Sequence, residues 1–430
     1  MVKVRVYPSR VDGVINAPPS KSYTHRAIIL AALSEGSSKI VRPLLARDTK
    51  ATISAVEALG AKVIQGETAL IVKGLDVPQT PEDVINAENS GTTIRIMTSV
   101  SALTPQGYTV LTGDSSLRSR PMQPLLTALT DLGVKCWSSR LNGKPPIVVQ
   151  GGGIKGGVVS LRGDISSQFI SSLLISTPKA ENDTTIKVVG KIVSKPYIDA
   201  TIFTINQFGG SVANPEIGIY HIKQGQKYTP TEVSVPGDFS SASFILASAA
   251  LTGGEVEVKS LSTNRPQADR AIIDILKDLG AEVELKRSEE AVRVKGPKGL
   301  LKGGIYDLTD SPDLLPVLAV LGLRCKDGIE VRGVAHARYK ETDRISVLAE
   351  ELSKTGALIS TYEDGLKIKA GTFKHCILDA RGDHRMFMAF CLAGLISSDG
   401  CEVIGAESVD VSYPNFIDDM KRIGALMEVK

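Results

Sequence analysis

The sequence is poor in the residues that build metal sites and disulfide frameworks. Its 430 residues include five cysteines and five histidines. The cysteines are odd in number, lie far apart and form no Cys-x-x-Cys pair, which argues against a disulfide framework and a thiolate metal site. The histidines show no spacing typical of metal ligands. We therefore expect no metal and no cofactor, and the cysteine usage favours a reducing cytoplasm.

Long apolar runs and an excess of one charge are also missing. The longest apolar runs, 314–323 and 386–396, are much shorter than the roughly 20 residues that cross a bilayer. Residues 1–10 alternate like a strand and lack the apolar core of a signal peptide. Fifty Lys and Arg against 47 Asp and Glu give a net charge of +3, too small for a general basic field that binds nucleic acid or membrane. We expect a cytoplasmic monomer whose partners are small molecules.

The sequence does contain two alternating signals. Polar or small clusters that lead directly into an apolar helix begin at Ser20, Asn89, Asp164, Asp238, Asp310 and Asp383. Amphipathic helices that lead into strands end at Gly60, Gly133, Gly209, Gly280, Gly356 and Gly424. Because both series recur roughly every 70 residues, we infer six copies of one βαβαββ unit.

The ends of the chain indicate how the six repeats are divided. The closing strand, 426–429, has no following partner, and the strand 2–7 is an orphan at the other end. Because an unpaired edge is a liability, the simplest prediction is that the two pair. The chain would then leave the C-terminal half and return to it. We predict two three-repeat domains, 1–14 plus 236–430 and 15–235, with hinges near 14–20 and 230–238 and an active cleft between them.

The first polar cluster, residues 18–26, has the features of an anion site. Prolines are tolerated where a helix begins, and Ser20 is a good N-cap. Unpaired amides and the helix dipole favour anions at such an end, and Lys21 and Arg26 add full charges. Ser22 and Arg26 stand four residues apart and share a helix face. The alternative is an ordinary capped and solvated helix start.

Two further segments of the first half carry arginines. Gly91 lies among small hydroxyl residues and allows close backbone approach to a ligand, and Arg95 follows four residues later. Arg120 lies in a loop before a helix that we expect to begin at Pro121. Loop arginines are usually solvated, so a ligand role for Arg120 competes with a plain surface position.

Two segments of the second half combine acids with cations. Lys340 and Arg344 are predicted to share one helix face, with Glu341 beside them. These charges either form local ion pairs or set a carboxylate among cations for proton transfer. Asp313 is either a first-turn helix acid or a base. Arg385 precedes an apolar helix, and an arginine at the mouth of a buried helix favours a ligand.

Taken in order, these segments resemble one known family. The resemblance rests on Lys21-Ser22 with Arg26, Asn89 to Thr92 with Arg95, Arg120-Pro121, Ser166-Ser167-Gln168, Ser194-Lys195-Pro196-Tyr197, Asp313, Lys340 to Arg344 and Asp383-His384-Arg385. Nearly the whole chain resembles the 3-phosphoshikimate 1-carboxyvinyltransferases, or 5-enolpyruvylshikimate-3-phosphate synthases, of the enolpyruvyl transferase superfamily. The resemblance implies an α/β fold, a two-domain inside-out α/β barrel with three βαβαββ repeats in each domain. It also implies transfer of the enolpyruvyl group of phosphoenolpyruvate to the 5-hydroxyl of shikimate 3-phosphate, with release of phosphate through a tetrahedral intermediate.

The resemblance also implies a set of site residues. For shikimate 3-phosphate these are Lys21, Ser22, Arg26, Ser166, Ser167, Gln168, Ser194, Tyr197, Asp313, His336 and Lys340. For phosphoenolpyruvate they are Lys21, Gly91, Arg120, Gln168, Arg344 and Arg385. Supporting positions are Asn89, Thr92, Arg95 and His384. Asp313 is expected to take the proton of the attacking hydroxyl, and Glu341, helped by Lys21, to protonate the methylene carbon.

Three positions depart from the common bacterial pattern. Val411 stands where many relatives have a lysine near the phosphate of phosphoenolpyruvate, His336 replaces an asparagine, and Ile96 follows Arg95 where a proline is frequent. We expect Ile96 to change how analogues of phosphoenolpyruvate fit.

Two rival functions remain open. One is enolpyruvyl transfer to UDP-N-acetylglucosamine, by a sister enzyme that typically carries a cysteine in the loop corresponding to residues 113–120, where this chain has none. The other is a repeat scaffold that binds anions without catalysis, for which Asp313 and Glu341 would be dispensable.

Overall fold

The chain folds as two compact units. The computed structural model describes residues 2–371 and 373–430. Residues 2–18 and 236–430 form the first unit, and residues 19–235 form the second. Each unit is built around its own hydrophobic core.

Helices fill the inside of each unit. They are α1 (Lys21–Ala32), α2 (Arg47–Ala58), α3 (Gly91–Ser101), α4 (Gln123–Asp131), α5 (Ser167–Ser176), α6 (Lys195–Gln207), α7 (Phe239–Thr252), α8 (Ile272–Asp278), α9 (Leu315–Gly322), α10 (Arg344–Ser353), α11 (His384–Ile396) and α12 (Phe416–Arg422). The odd-numbered helices from α1 to α11 are buried almost all round, because small and apolar residues cover every side of them. None of the described helices is long and apolar enough to cross a membrane.

Four-stranded sheets form the outer layer of each unit. The strands are β1 (Lys3–Val6), β2 (Asp12–Asn16), β3 (Gly36–Val41), β4 (Lys62–Gln65), β5 (Ala69–Gly74), β6 (Ile85–Asn86), β7 (Tyr108–Thr112), β8 (Cys136–Ser138), β9 (Ile147–Gln150), β10 (Gly157–Arg162), β11 (Thr184–Val189), β12 (Ala213–Glu216), β13 (Ile219–Ile222), β14 (Glu232–Ser234), β15 (Glu255–Lys259), β16 (Glu282–Lys286), β17 (Ala291–Lys295), β18 (Gly304–Asp307), β19 (Ile329–Arg332), β20 (Leu358–Tyr362), β21 (Gly365–Lys369), β22 (Cys376–Asp379), β23 (Cys401–Ile404) and β24 (Met427–Val429).

The sheets repeat one pairing pattern. In β10-β11-β13-β12 the first pair is parallel and the others are antiparallel, and β14-β3-β5-β4, β6-β7-β9-β8, β2-β15-β17-β16, β18-β19-β21-β20 and β22-β23-β1-β24 follow the same order. Six sheets of one kind, three in each unit around buried helices, confirm the predicted α/β fold of six repeats and the inside-out barrel.

The last sheet is completed by the N-terminal strand. β1 pairs antiparallel with β23 on one side and β24 on the other, with Val4 opposite Val403 and Val429. The predicted pairing of the two chain ends is therefore confirmed.

A glycine in the left-handed region follows the second helix of every repeat. The φ angles are +96° at Gly60, +86° at Gly133, +77° at Gly209, +96° at Gly280, +91° at Gly356 and +102° at Gly424. At Gly60 a Cβ atom would lie 2.9 Å from the side chains of Gln79 and Leu75, so both backbone angle and space require glycine there. The periodic glycines are helix ends, as the sequence predicted.

Three local predictions are wrong. Lys340 and Arg344 do not share a helix face, because the N-cap Asp343 accepts a hydrogen bond from Ser346 N and α10 begins only at Arg344. The helix after Arg120 begins at Gln123, two residues beyond Pro121. The third is the hydrogen bond expected at Ser20: this residue is the N-cap of α1, as predicted, but its side chain makes no cap hydrogen bond.

Candidate active site

In the second unit, the start of α3 is a meeting point of guanidinium groups. A Cβ atom on Gly91 would lie 3.0 Å from Arg120 Nη1, 3.4 Å from Arg95 Nη1 and 3.7 Å from Gln168 Oε1. Any side chain at this position would crowd those groups, so the glycine keeps the space beside them open. Planar guanidinium forks match carboxylate and phosphate oxygens, which makes this place suited to an anion.

Arg95 connects α3 to the Ser-Ser-Gln segment at the start of α5. Its Nη1 donates to Gln168 Oε1 at 2.6 Å and to Ser166 Oγ at 3.4 Å, and its guanidinium lies 5.3 Å from the ring centre of Phe169. Gln168 Nε2 in turn donates to Thr92 Oγ1 at 2.9 Å. The amide of Gln168 is thus held in a fixed orientation by two residues of α3.

Arg120 is buried although it lies in a loop. Its Nη2 donates to Asn89 Oδ1 at 2.7 Å and to Ser116 Oγ at 3.3 Å. Asn89 Nδ2 donates to Asp114 Oδ2 at 2.7 Å, which fixes the amide that receives Arg120. The side chain is therefore anchored and does not extend into solvent.

Arg26 ties α1 to α6. Its Nη1 donates to the Ser22 carbonyl at 2.8 Å, its Nε to Thr201 Oγ1 at 2.8 Å and its Nη2 to the Tyr197 carbonyl at 3.1 Å. Burial lowers the pKa of Arg26 to about 10, so the group is still cationic at neutral pH. Ser194, the residue before α6, is buried and takes a left-handed conformation with φ of 56°. Four residues predicted for shikimate 3-phosphate, Ser22, Arg26, Ser194 and Tyr197, thus lie along this contact.

Lys21, the first residue of α1, is paired with an acid that sequence reasoning missed. Its Nζ lies 3.0 Å from Oδ2 of Asp48, which is 3% exposed. The other carboxylate oxygen of Asp48 is buried and has no hydrogen-bond partner among the described residues. The sequence gives little signal for this pair, because an acid in the first turn of a helix such as α2 is ordinary.

In the first unit, one carboxylate is surrounded by three cations. Asp313 lies on the short turn Pro312–Leu314 that precedes α9. Its Oδ1 is 2.7 Å from Arg344 Nη1 and 3.5 Å from Lys340 Nζ, and its Oδ2 is 3.1 Å from Arg385 Nη2. The ion pairs fix the carboxylate in place and bring together residues from two successive repeats.

Arg344 joins the predicted base to the predicted acid. It is 1% exposed and donates to Asp313 through Nη1 at 2.7 Å, to Glu341 through Nη2 at 2.7 Å and to Asp383 through Nε at 2.8 Å. Burial opposes its charge, but Asp383, Glu341 and Asp313 together outweigh burial and raise the pKa of Arg344. One guanidinium therefore holds both acids that the predicted proton transfers need.

Other residues of the first unit that the sequence singled out lie at the start of α11 or in short turns. His384 is the first residue of α11 and is buried, and Arg385 follows it. His336 is buried in the turn Ala335–Tyr339. Burial lowers the pKa of Lys340, although Asp313 partly offsets this. Val411 ends the turn Ala406–Val411 and is buried.

Asp269 is a second acid that sequence reasoning missed. It is buried and accepts a hydrogen bond from Ser240 Oγ at 2.5 Å. Burial, and next the charge of Asp313, raise the pKa of Asp269 to about 6, while Arg385 acts in the opposite direction. The turn Ala268–Ala271 that carries it contains no motif from which a role could have been inferred.

Each cluster has its own chemical capacity. The second unit presents arginines and a lysine at helix starts, where anions bind. The first unit presents carboxylates among cations, which suits proton transfer beside a bound anion. Among the described residues, no group of three or more His, Cys, Asp or Glu side chains is arranged to hold a metal ion.

Comparison with known proteins gives one consistent result. Residues 6–420 match the family model described as EPSP synthase (3-phosphoshikimate 1-carboxyvinyltransferase). A 3-phosphoshikimate 1-carboxyvinyltransferase of Methanothermobacter thermautotrophicus is 46% identical over 97% of both chains, and one of Methanocaldococcus jannaschii is 43% identical over 98% of both. A solved EPSP synthase from Acinetobacter baumannii, 27% identical, matches all of both chains with a TM-score of 0.84. The chain therefore belongs to the EPSP synthase family, the 3-phosphoshikimate 1-carboxyvinyltransferases.

Proposed function

We propose that the protein transfers the enolpyruvyl group of phosphoenolpyruvate to the 5-hydroxyl of shikimate 3-phosphate and releases inorganic phosphate, a step of aromatic amino acid biosynthesis. Membership of the family and the names of the relatives support this transferase activity. The observation that carries the proposal is the Arg344 guanidinium, which holds Asp313 and Glu341 together.

Shikimate 3-phosphate is assigned to hydroxyls and cations of both units. The contact between α1 and α6 supports the role of Ser22, Arg26, Ser194 and Tyr197, because Arg26 bonds to the carbonyls of two of them. The remaining residues assigned to this substrate are Lys21, Ser166, Ser167, Gln168, Asp313, His336 and Lys340.

Phosphoenolpyruvate is assigned to arginines that are already desolvated. Arg120, Arg344 and Arg385 are all buried and each is held by protein carboxylates or amides. Since the protein has fixed these side chains beforehand, little of their conformational entropy is lost on binding a carboxylate or phosphate. Lys21, Gly91 and Gln168 complete this set, with Asn89, Thr92, Arg95 and His384 in support.

The proton steps use the two acids held by Arg344. Asp313 takes the proton of the 5-hydroxyl as the hydroxyl oxygen bonds to C2 of phosphoenolpyruvate. Glu341, helped by Lys21, gives a proton to the methylene carbon, which produces the tetrahedral intermediate. In the elimination, Glu341 takes a proton back from the methyl group as the C2–O bond to phosphate breaks, which restores the double bond, and the proton held by Asp313 leaves with the phosphate. General acid–base catalysis of this kind contributes about 10²- to 10⁴-fold to a rate.

The rival readings are less well supported. The family assignment disfavours a scaffold without catalysis, and the relatives are named for the phosphoshikimate reaction. The sequence between Gly113 and Arg120, Gly-Asp-Ser-Ser-Leu-Arg-Ser-Arg, has no cysteine of the kind typical of the UDP-N-acetylglucosamine enzymes.

We place the enzyme in the cytoplasm as a monomer. Its substrates are small phosphorylated metabolites, and each unit is built around its own core. Size-exclusion chromatography with light scattering should give the chain mass of 45.7 kDa. A value twice as large would contradict the monomer.

Phosphate release tests the activity. Wild type should release phosphate only when both substrates are present, and UDP-N-acetylglucosamine should not replace shikimate 3-phosphate. Asp313→Ala and Glu341→Ala should each lower the rate by about 10²- to 10⁴-fold, whereas Asp418→Ala, an exposed first-turn acid of α12, should not. Equal rates in wild type and both site variants would refute the proposed proton transfers.

A further inference from the structure

A buried chain of hydrogen bonds joins the N-terminal halves of α1, α2 and α3. His25 Nδ1 lies 2.7 Å from Thr52 Oγ1, Thr52 Oγ1 lies 2.7 Å from Thr93 Oγ1, and Thr93 Oγ1 donates to Ser90 Oγ at 2.6 Å. All four residues are fully buried. The chain therefore connects three helices through side chains alone.

Each hydroxyl group has a single proton, and this decides the direction of every hydrogen bond in the chain. Thr93 has one hydroxyl proton and gives it to Ser90, so Thr52 must donate to Thr93. With its own proton used, Thr52 can only accept from His25 Nδ1–H. Burial first, and then Lys21 and Arg26, hold the pKa of His25 far below its ordinary value. The imidazole is thus neutral with its proton on Nδ1.

The three helices carry residues of the proposed site. α1 begins with Lys21, α2 carries Asp48, whose Oδ2 is 3.0 Å from Lys21 Nζ, and α3 begins with Gly91. Thr52 lies one turn after Asp48, and Thr93 lies two residues after Gly91. The hydrogen-bond chain therefore fixes Lys21 and Asp48 relative to Gly91, which lies beside the guanidinium groups of Arg95 and Arg120.

Two other buried threonines of the same unit are satisfied within their own helices. Thr98 Oγ1 donates to the Ile94 carbonyl at 2.6 Å, and Thr204 Oγ1 to the Ala200 carbonyl at 2.7 Å, each within its own helix. Such a bond needs no neighbouring helix. Thr52 instead bonds to side chains of α1 and α3, which makes it the central link of the chain.

We propose that Thr52 is a positioning residue, which through His25 and Thr93 sets the distance between the Lys21–Asp48 pair and Gly91. The inference depends on the proposed roles of Lys21 and Gly91 toward phosphoenolpyruvate. Arg26 attaches α1 to α6 by separate bonds, so Arg26 and Tyr197, which are assigned to shikimate 3-phosphate, keep their place when the chain is broken. Lys21 is assigned to both substrates, but it is one of many residues assigned to shikimate 3-phosphate, so loss of Thr52 affects phosphoenolpyruvate far more than binding of shikimate 3-phosphate alone.

The test compares Thr52→Val, Thr52→Ser and the matched control Thr98→Val. Thr52→Val should lower kcat/KM for phosphoenolpyruvate by about tenfold or more, because a displacement of about 1 Å is costly in catalysis. Its dissociation constant for shikimate 3-phosphate alone, measured by calorimetry, should stay within about twofold of wild type. Thr52→Ser should restore kcat/KM, and Thr98→Val should leave it unchanged. Equal kcat/KM in Thr52→Val and Thr98→Val would overturn the proposal.

A second readout does not depend on turnover. In ¹⁵N-labelled protein, the His25 imidazole should show the proton on Nδ1, and both Thr52→Val and Thr93→Val should shift its signals while Thr98→Val does not. A proton on His25 Nε2, or imidazole signals that do not change in Thr52→Val, would show that the proposed chain of hydrogen bonds does not exist. Absence of phosphate release in wild type with an intact Nδ1–H signal would instead count against the proposed function.

Discussion

At the scale of single residues, the candidate site depends on buried charges that hold one another. Arg344 contacts three carboxylates, and one of them, Asp383, also accepts a hydrogen bond from Arg385 N at 2.9 Å as the N-cap of α11. A buried charge is costly without partners, and removing one member of such a group leaves the others unpaired. The same interactions therefore position the side chains and keep Arg344 charged.

Gly91 offers a sharp test of the space beside the guanidinium groups. In Gly91→Ala, the methyl group would lie 3.0 Å from Arg120 Nη1 and displace it, so the KM for phosphoenolpyruvate should rise by about tenfold. The measurement is steady-state phosphate release at saturating shikimate 3-phosphate. Gly299→Ala, where a Cβ meets nothing within 4 Å, is the control. An unchanged KM in Gly91→Ala would show that the ligand does not bind at this place.

Asp269 should make stability depend on pH. Because burial and Asp313 raise the pKa of Asp269 to about 6 in the folded protein, the stability gained from its protonated form is complete below about pH 4 and lost as pH rises through about 6. Asp269→Asn mimics that protonated form. Relative to wild type, the variant should gain about 1.4 kcal/mol of stability between pH 5 and pH 7.5, because about one pKa unit of the shift lies above pH 5.

Chemical denaturation at the two pH values measures this difference. Asp274→Asn, at an exposed position of α8, should show the same difference from wild type at both pH values. If Asp269→Asn also differed from wild type by the same free energy of unfolding at both pH values, the raised pKa of Asp269 would be contradicted.

At the scale of helices and strands, much of the molecule follows from local sequence. Proline, hydroxyl and small residues before an apolar run mark the helix starts, and a glycine after an amphipathic run marks each end. The pairing of the strands at the two chain ends could be predicted from the rule that sheet edges do not stay unpaired. These signals lie within short segments, which is why one sequence was enough to predict six repeats.

Contacts between helix starts that lie far apart in the chain could not be predicted in the same way. The pairs Lys21–Asp48 and Asp313–Arg385 join residues far apart in the chain, and no local pattern encodes their approach. The predicted helix face shared by Lys340 and Arg344 is wrong, yet both side chains reach Asp313 because the chain turns at the Asp343 N-cap. The residue types were therefore predictable, and their partners were not.

The N-terminal strand β1 should be essential for the first unit. Val4 is fully buried and pairs with strands on both sides, so Val4→Asp should destabilise this unit by about 3 kcal/mol or more. Thermal unfolding and limited proteolysis should show cleavage within residues 236–430 while residues 19–235 stay protected. Val2→Asp, at a residue that is 40% exposed, is the matched control. Indistinguishable melting of the two variants would contradict the role of the strand.

At the scale of the whole molecule, the two units carry complementary chemistry. The second unit provides Lys21 at the start of α1 and the guanidinium groups of Arg95 and Arg120 beside the start of α3. The first unit provides acids held among cations at the starts of α9, α10 and α11. Two small substrates with several negative charges need many cations, and the reaction needs acids close to them. The proposed roles therefore draw on residues of both units.

The most direct test of this claim is the KM for phosphoenolpyruvate in Arg120→Lys and Arg385→Lys, one substitution in each unit. Lysine cannot reproduce a bidentate guanidinium contact, so each variant should raise this KM by about tenfold or more. The exposed controls Arg140→Lys and Arg287→Lys should leave it unchanged. If only one of the two buried arginines affected the KM, the claim that both units act on the same substrate would be contradicted.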